Sequence, residues 1–596
     1  MMHKQVIQVA IVFAACCYGP ILATAQGQDA EQSVAIQAYG ILKERCYRCH
    51  GGAARQAGLD VLSRESLLEP RGDESALHHF VIPGDPEKST LIDAIKNGKD
   101  SYMPDAGSPE AELMTDSEKE LLRDWVKQGA PFPMRRDLQV VSDKQVMRAV
   151  RDYLFSLGVA DRRFTRFYSL AQLNNNPDVT AMDLRLYRAA LSKAINSLSK
   201  QTAIHLPVIV PDTNGSVLAI DLRLLGWNQR NLWERIVGQY PYGLSFSHVK
   251  DEELQAMYNE VVEISGTTLP ILRADWFVVT ATRPPLYHEL LEIPVTLSDL
   301  ERQLELNLIK NFTNGDLHRS GYAKSGVSRQ NRMLERHASE VTPYFWISYD
   351  FLPGQARGDL VRFPLGPLFK GNPFAKHAFD HDGGEVIWSL PNGLQAYMLV
   401  SGTGDRIDAG PVEVVFDRNA VLGTPSIING ISCIYCHRHG MIKNFSDEIR
   451  NADAVAGDVQ EKVKQLYPLN ADMQKLIARD ESLFLKSLED VVGAFLKVEE
   501  DSQREITSFP EPVAKVAEMY FRDLTALEVS LELGISDPHQ LKTMIGANPE
   551  LLRFGMGTLA QEPPGTLKRD KWEARDGTSL MQDVASELRI GTPLLP

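Results

Sequence analysis

Cys46-Tyr47-Arg48-Cys49-His50 and Cys433-Ile434-Tyr435-Cys436-His437 are two copies of one pentapeptide pattern, and they decide how the chain is read. Two thiols three residues apart on a short helical turn can add to the two vinyl groups on one edge of a porphyrin. The histidine that follows then points at the iron. The precursor has six cysteines, of which Cys16 and Cys17 fall in a leader, so these two motifs use every cysteine that remains. Zinc would need further soft ligands, and no other cysteine is left to supply them. A structural disulfide within each pair is the other alternative in an oxidising compartment. The expectation is two covalently attached haem c groups, at Cys46, Cys49 and His50 and at Cys433, Cys436 and His437.

The leader is residues 1–25. Lys4 supplies a short positive start, Val6 to Ala23 is largely apolar, and Ala23-Thr24-Ala25 has the small-x-small form of a cleavage site. Gln8 and Gly19-Pro20 interrupt the run, which falls short of a clean membrane span. Export to the periplasm is expected, with a lipoprotein through Cys16 as the minority alternative. The 596 residues carry a formal net charge of -15, which opposes binding to phosphate backbones or anionic lipid surfaces. Neither nucleic acid nor an anionic membrane surface is therefore an expected partner; periplasmic redox proteins are. Gly-rich phosphate loops, GxSxG elbows and HExxH helices do not occur in the sequence, so the chemistry rests on haem iron.

Axial ligands decide whether such an iron only passes electrons or also binds a substrate. His50 and His437 are the proximal iron ligands. Met103, in Ser101-Tyr102-Met103-Pro104, is the candidate opposite His50, because Pro104 favours an extended backbone that can lay a thioether across the far face. The competing reading is a methionine filling a core gap. Opposite His437 the assignment stays open. Met441 and His439 follow the proximal histidine too closely, and Met441 reads as packing. His337 sits in a segment, 332–337, that looks helical. His381 precedes Gly383-Gly384 and a hairpin turning at Pro391-Asn392-Gly393, and it competes with a histidine merely bonded to Asp380 or Asp382.

The segment Cys46 to Pro133, with CYRCHGG, GLDVLSRESLL, VIPGDPEKSTLIDAI, YMPD and LLRDWVKQGAPFP, resembles the planctomycete-type cytochrome c domain. The resemblance implies haem on Cys46 and Cys49, ligated by His50 and Met103, with Asp105 where that family's loop has a second proline. The stretch Gly321 to Met441 resembles the second half of long exported cytochromes of the same bacterial group, which implies a haem protein and supplies no reaction.

The expected fold is multidomain and mainly α with a central α+β domain. A helical cytochrome module at 26–136 contains the amphipathic helix Asp116 to Gln128. A helical connector follows at 137–202, then a mixed α+β domain at 203–420. The second attachment site with helices such as Ala471 to Leu496 and Pro512 to Leu533 occupies 421–560, and 561–596 reads as a loop or short packing arm. The aromatics Trp227, Trp233, Tyr240, Tyr242, Trp276, Phe277 and Tyr287 read as core rather than pocket. Arg273, Arg283, Arg329, Arg332 and Arg336 could pair haem propionates or ordinary carboxylates.

Three functions fit this sequence. The favoured one is electron transfer through two six-coordinate haems. A di-haem peroxidase-like oxidoreductase with an open position at the second haem is the enzymatic alternative. The third is a binding module for a polymer or protein, served by accessory cytochromes.

Overall fold

A computed structural model describes residues 34–47, 49–51, 56–71, 78–96, 103, 114–132, 138–326, 328, 330–417, 424–443, 445–561 and 565–595. The expected leader, with Cys16 and Cys17, lies outside the described residues. The chain divides into two compact units, residues 1–51 with 55–134 and residues 52–54 with 135–596.

In the smaller unit the clearest element is helix α1 (Asp116–Lys127). Thr115 and Glu118 close a reciprocal capping box at its start, which satisfies two backbone N–H groups that the first turn leaves over. Leu122, Trp125 and Val126 form its buried stripe, and the Trp125 indole donates to the Pro131 carbonyl at 2.7 Å. Gly129 and Ala130 take positive φ, and the helix ends before them, as its Gly-Ala-Pro exit leads one to expect.

The larger unit opens with α2 (Asp143–Ser156) and then departs from the expected helical connector. Residues 165–169 form strand β1, and α3 (Ala181–Ser197) follows. Strands β2 (Val208–Ile209), β3 (Val217–Asp221) and β4 (Ile271–Arg273) join β1 in a sheet of order β2-β3-β1-β4. Side chains alternate across it, as the pleat requires. Phe167, Val217 and Ala219 face the apolar stripe of α2, while Tyr168, Leu218, Ile220 and Leu272 enter the main core with α3. A connector ending at 202 therefore does not exist as a separate body: its strand is an inner member of a sheet built mostly from later residues.

After α4 (Ala274–Ala281) comes an antiparallel sheet of six strands in sequential order: β5 (Leu317–Tyr322), β6 (Arg332–His337), β7 (Phe345–Asp350), β8 (Gly383–Ser389), β9 (Gln395–Ser401) and β10 (Arg406–Ile407). The expected hairpin is β8–β9, with Ser389 opposite Gln395 and Gly393 at φ +83°. The segment 332–337 is strand β6, not the helix its composition suggests. Its Met, Leu, Glu and Arg are good helix formers, but tertiary pairing overrides propensity: Arg332 meets Asp350, and, fully buried, Glu335 meets Arg319 and Arg336 meets Asp480.

Beyond the sheet lie α5 (Ile431–Cys436), α6 (Asn470–Leu496), α7 (Pro512–Tyr520) and α8 (Ala526–Glu532). The single helix expected over 512–533 is broken at 521–525, where Thr525 starts a new capping box with Glu528. Helix α6 packs along α3, and the Ser192 hydroxyl of α3 donates to the Val491 carbonyl at 2.6 Å. The last segment is more than a loop: α9 (Leu580–Glu587) buries Met581, Val584 and Ala585, Thr592–Pro593 pairs with Leu244–Ser245, and Trp572 is fully buried. Among the described residues no helix is long and apolar enough to cross a membrane.

Candidate haem sites

The first motif closes with a wide turn, Leu42–Cys46, whose last bond runs from Tyr47 N–H to the Leu42 carbonyl at 2.9 Å. Such i to i+5 turns favour functional positions. The Cys49 and His50 amides then both donate to the Cys46 carbonyl, at 3.2 and 2.9 Å, so both thiols and the imidazole issue from one tight turn. His50 Nδ1 donates to the Gln56 carbonyl at 2.9 Å. That bond fixes the tautomer and leaves Nε2 with its lone pair for a metal. Arg45 braces the turn by an ion pair of 2.7 Å with Glu118 of α1. The donor set fits a haem.

Met103 donates its amide to the Ala94 carbonyl at 2.6 Å, and its side chain is 40% exposed. It fills no core gap. Its neighbours 97–102 and 104–113 lie outside the described residues.

The second motif forms α5 itself. Gly430, at φ +83°, starts the helix hard against Thr282 and Tyr287, where a Cβ would come within 2.4 Å of the Thr282 carbonyl oxygen. The His437 amide donates to the Cys433 carbonyl at 2.8 Å, and His437 Nδ1 donates to the Gly440 carbonyl at 3.1 Å. Both motif histidines are thus oriented by the same device, a ring N–H given to a carbonyl a few residues downstream. All four cysteines are thiols rather than disulfides, and the donor set of the second turn also fits a haem.

The surroundings differ. Cys433 is 1% exposed and His437 6% exposed, whereas Cys436 stands at the surface. His437 Nε2 lies 3.5 Å from Glu385 Oε2 on β8, and the Tyr397 ring of β9 stacks on the imidazole at 6.0 Å between centroids. Burial would push the Glu385 carboxyl up, but its neighbours His437, Cys433 and Arg332 hold it down to about 2. Burial first, and the Glu385 charge second, push the Cys433 thiol well up. Sequence reasoning passed over Glu385. The available signal was a lone carboxylate inside the apolar strand run 385–390.

The structure does not bring His381 to His437. Side chains alternate across a strand, and Glu385 pairs with Leu399, next but one to Tyr397, so Glu385 and Tyr397 share one face of the six-stranded sheet. Ile347 pairs with Val386, which puts Tyr349 on the opposite face. The His381 ring packs edge-on against Tyr349 at 4.9 Å, so the sheet lies between it and His437. Nor is its ring bonded to Asp380 or Asp382: Nδ1 is buried without a hydrogen bond, and burial lowers the ring's pKa. His337 lies on that opposite face as well, its Nε2 2.6 Å from Glu335. Met441 is buried in the core, in keeping with a packing role.

The arginines serve ion pairs. Arg273 bridges Asp275 and Glu532, Arg332 meets Asp350, and Arg336 meets Asp480. Arg283 lies over the Phe521 ring, and Arg329 is outside the described residues. The seven aromatics expected as core are all buried.

Residues 46–107 match the family described as Planctomycete cytochrome C. This segment is a planctomycete-type cytochrome c domain. The chain is accordingly a cytochrome c-like haem protein, with haem c implied at the cytochrome domain. No curated protein and no solved structure matches it.

Proposed function

We propose that the protein is an exported, periplasmic electron carrier with two covalent haems, one held by Cys46, Cys49, His50 and Met103 and the other by Cys433, Cys436 and His437. The observation that carries this reading is the shared histidine geometry. In each CxxCH turn the Nδ1 proton is given to a downstream backbone carbonyl, which prepares Nε2 as an iron ligand. The haem supplies reversible one-electron chemistry when bound. The chain's residues anchor its edge through two thioethers, set the proximal imidazole and shield one face. At the second site the sheet and α5 bury the proximal histidine, which keeps water from it and lowers the reorganisation that electron exchange requires.

The test is the mature protein made with cytochrome maturation machinery and assayed by pyridine haemochrome. Two haems per chain, reducible and re-oxidisable in the ultraviolet–visible spectrum, are expected. One haem per chain would remove the second site from the reading. A second haem that turns over peroxide would replace electron carriage with a peroxidase-like activity.

A further inference from the structure

We infer that the large unit binds a small organic carboxylate, anchored on Arg406, in a cavity that neither CxxCH turn lines. The inference does not depend on the haem reading. The cavity measures about 310 Å³, which falls among small-molecule sites of about 300–1,000 Å³. Its wall brings together three guanidinium groups, Arg230, Arg235 and Arg406, and two carboxylates, Glu289 and Glu292. Lys200 and Arg230 both pair with Glu292, and Glu289 stands 3.6 Å from Arg235. Even with Asp408 counted, whose side chain is 76% exposed, cations exceed anions here, in a chain whose formal net charge is -15.

Arg406 is held in place with part of its fork left over. Its backbone sits in β10 opposite Val400, and its amide donates to the Val295 carbonyl at 2.9 Å. One guanidinium nitrogen, Nη1, donates to the Ile293 and Pro294 carbonyls. Among the described residues Nε and Nη2 have no hydrogen-bond partner, and no carboxylate forms an ion pair with the group. Burial lowers the Arg406 pKa. The charge is thus partly withdrawn from water, where it attracts an anion more strongly than at an open surface. Such a fork matches the two oxygens of a carboxylate. Leu232 and Ile293, on the same wall, offer apolar contact to a short carbon chain, which an inorganic anion lacks. His288, 4% exposed, also lines the cavity. Burial first, and the Arg406 charge second, hold its pKa down to about 4 against the opposing Asp408 charge. A carboxylate on Arg406 offsets the second cause, so the His288 ring reports occupancy.

The experiment titrates the full chain with succinate, with inorganic phosphate and with chloride by isothermal calorimetry at low ionic strength, and follows the histidine ring resonances by nuclear magnetic resonance. One succinate per chain is expected, with a rise in the His288 pKa. Arg406→Gln should weaken binding about tenfold or more, and Arg406→Lys, which keeps the charge and loses the fork, should recover only part of it. Because Arg406 also holds two carbonyls, Arg235→Gln, at a half-exposed side chain, is the second variant and should weaken succinate severalfold. Succinate binding no tighter than chloride, or binding that survives Arg406→Gln in a folded variant or leaves His288 unmoved, overturns the inference. Phosphate binding as tight as succinate overturns the assignment to an organic carboxylate. The His288 resonance of the unaltered protein decides the matter even if a variant fails to fold.

Discussion

The two CxxCH turns share a pentapeptide pattern and a histidine-orienting hydrogen bond, yet they stand in different physical environments. The first is a half-exposed turn in a small unit, braced by the partly exposed Arg45–Glu118 pair. The second is a helix wedged into the core of the large unit, with Cys433 and His437 buried against a charged carboxylate. The local motif is the same in both turns. The tertiary surroundings decide how buried each histidine is and which groups lie against it.

The largest contrast concerns attachment itself. Replacing Cys433 and Cys436 by Ala should drop the haemochrome count from two to one and lower the melting temperature of the large unit, because Cys433 lies in its core. Replacing Cys46 and Cys49 should give the same loss of one haem while calorimetry shows the large unit's transition unmoved. Equal thermal effects from the two pairs would break the comparison.

Next in size is Asp480→Ala. Asp480 accepts from Arg336 at 2.7 and 2.9 Å and from the Trp346 indole at 2.9 Å, fully buried. Its removal leaves a buried guanidinium unpaired, which costs about 3–5 kcal/mol, read by denaturant unfolding. A loss near that of a surface pair, under about 1 kcal/mol, would show that water reaches Arg336.

Acid should separate the units as well. Glu335 and Glu532, in the large unit, are held down to about 2: burial opposes this, but Arg319 and His337 for the one, and Arg273 and Arg569 for the other, outweigh it. A depressed carboxyl contributes stability that is fully present above its unfolded pKa, about 4.3, and is lost as pH falls toward 2. Circular dichroism against pH should show the large unit weakening between those limits. Glu335→Gln should make that descent shallower.

The smallest effect belongs to the small unit. Thr115→Ala removes the α1 cap and should cost about 1 kcal/mol, with the large unit's transition and the second haem's spectrum untouched.

Much of this was legible from the chain because it depends on neighbours in sequence. The attachment chemistry of Cys46 to His50 and Cys433 to His437 needs only a turn. The helices Asp116–Lys127 and Asn470–Leu496 follow from a 3.6-residue apolar period, and the β8–β9 hairpin follows from Pro391-Asn392-Gly393. Strand β6 was not legible: Arg332 to His337 reads as helix until Asp350, Asp480 and Arg319, all distant in sequence, are there to neutralise its charges. The same holds for β1, whose partners β3 and β4 come much later in the chain.

By itself, then, the sequence determined where the two CxxCH turns lie, the strongly periodic helices and the hairpin turn, since each is settled within a few residues by spacing, periodicity and backbone φ. Only the tertiary structure decided that His381 and His437 fall on opposite faces of one sheet and that Glu385 meets the proximal imidazole. Those facts depend on strand register and on which face of β8 packs against α5, and register is fixed by contacts among strands far apart in the chain.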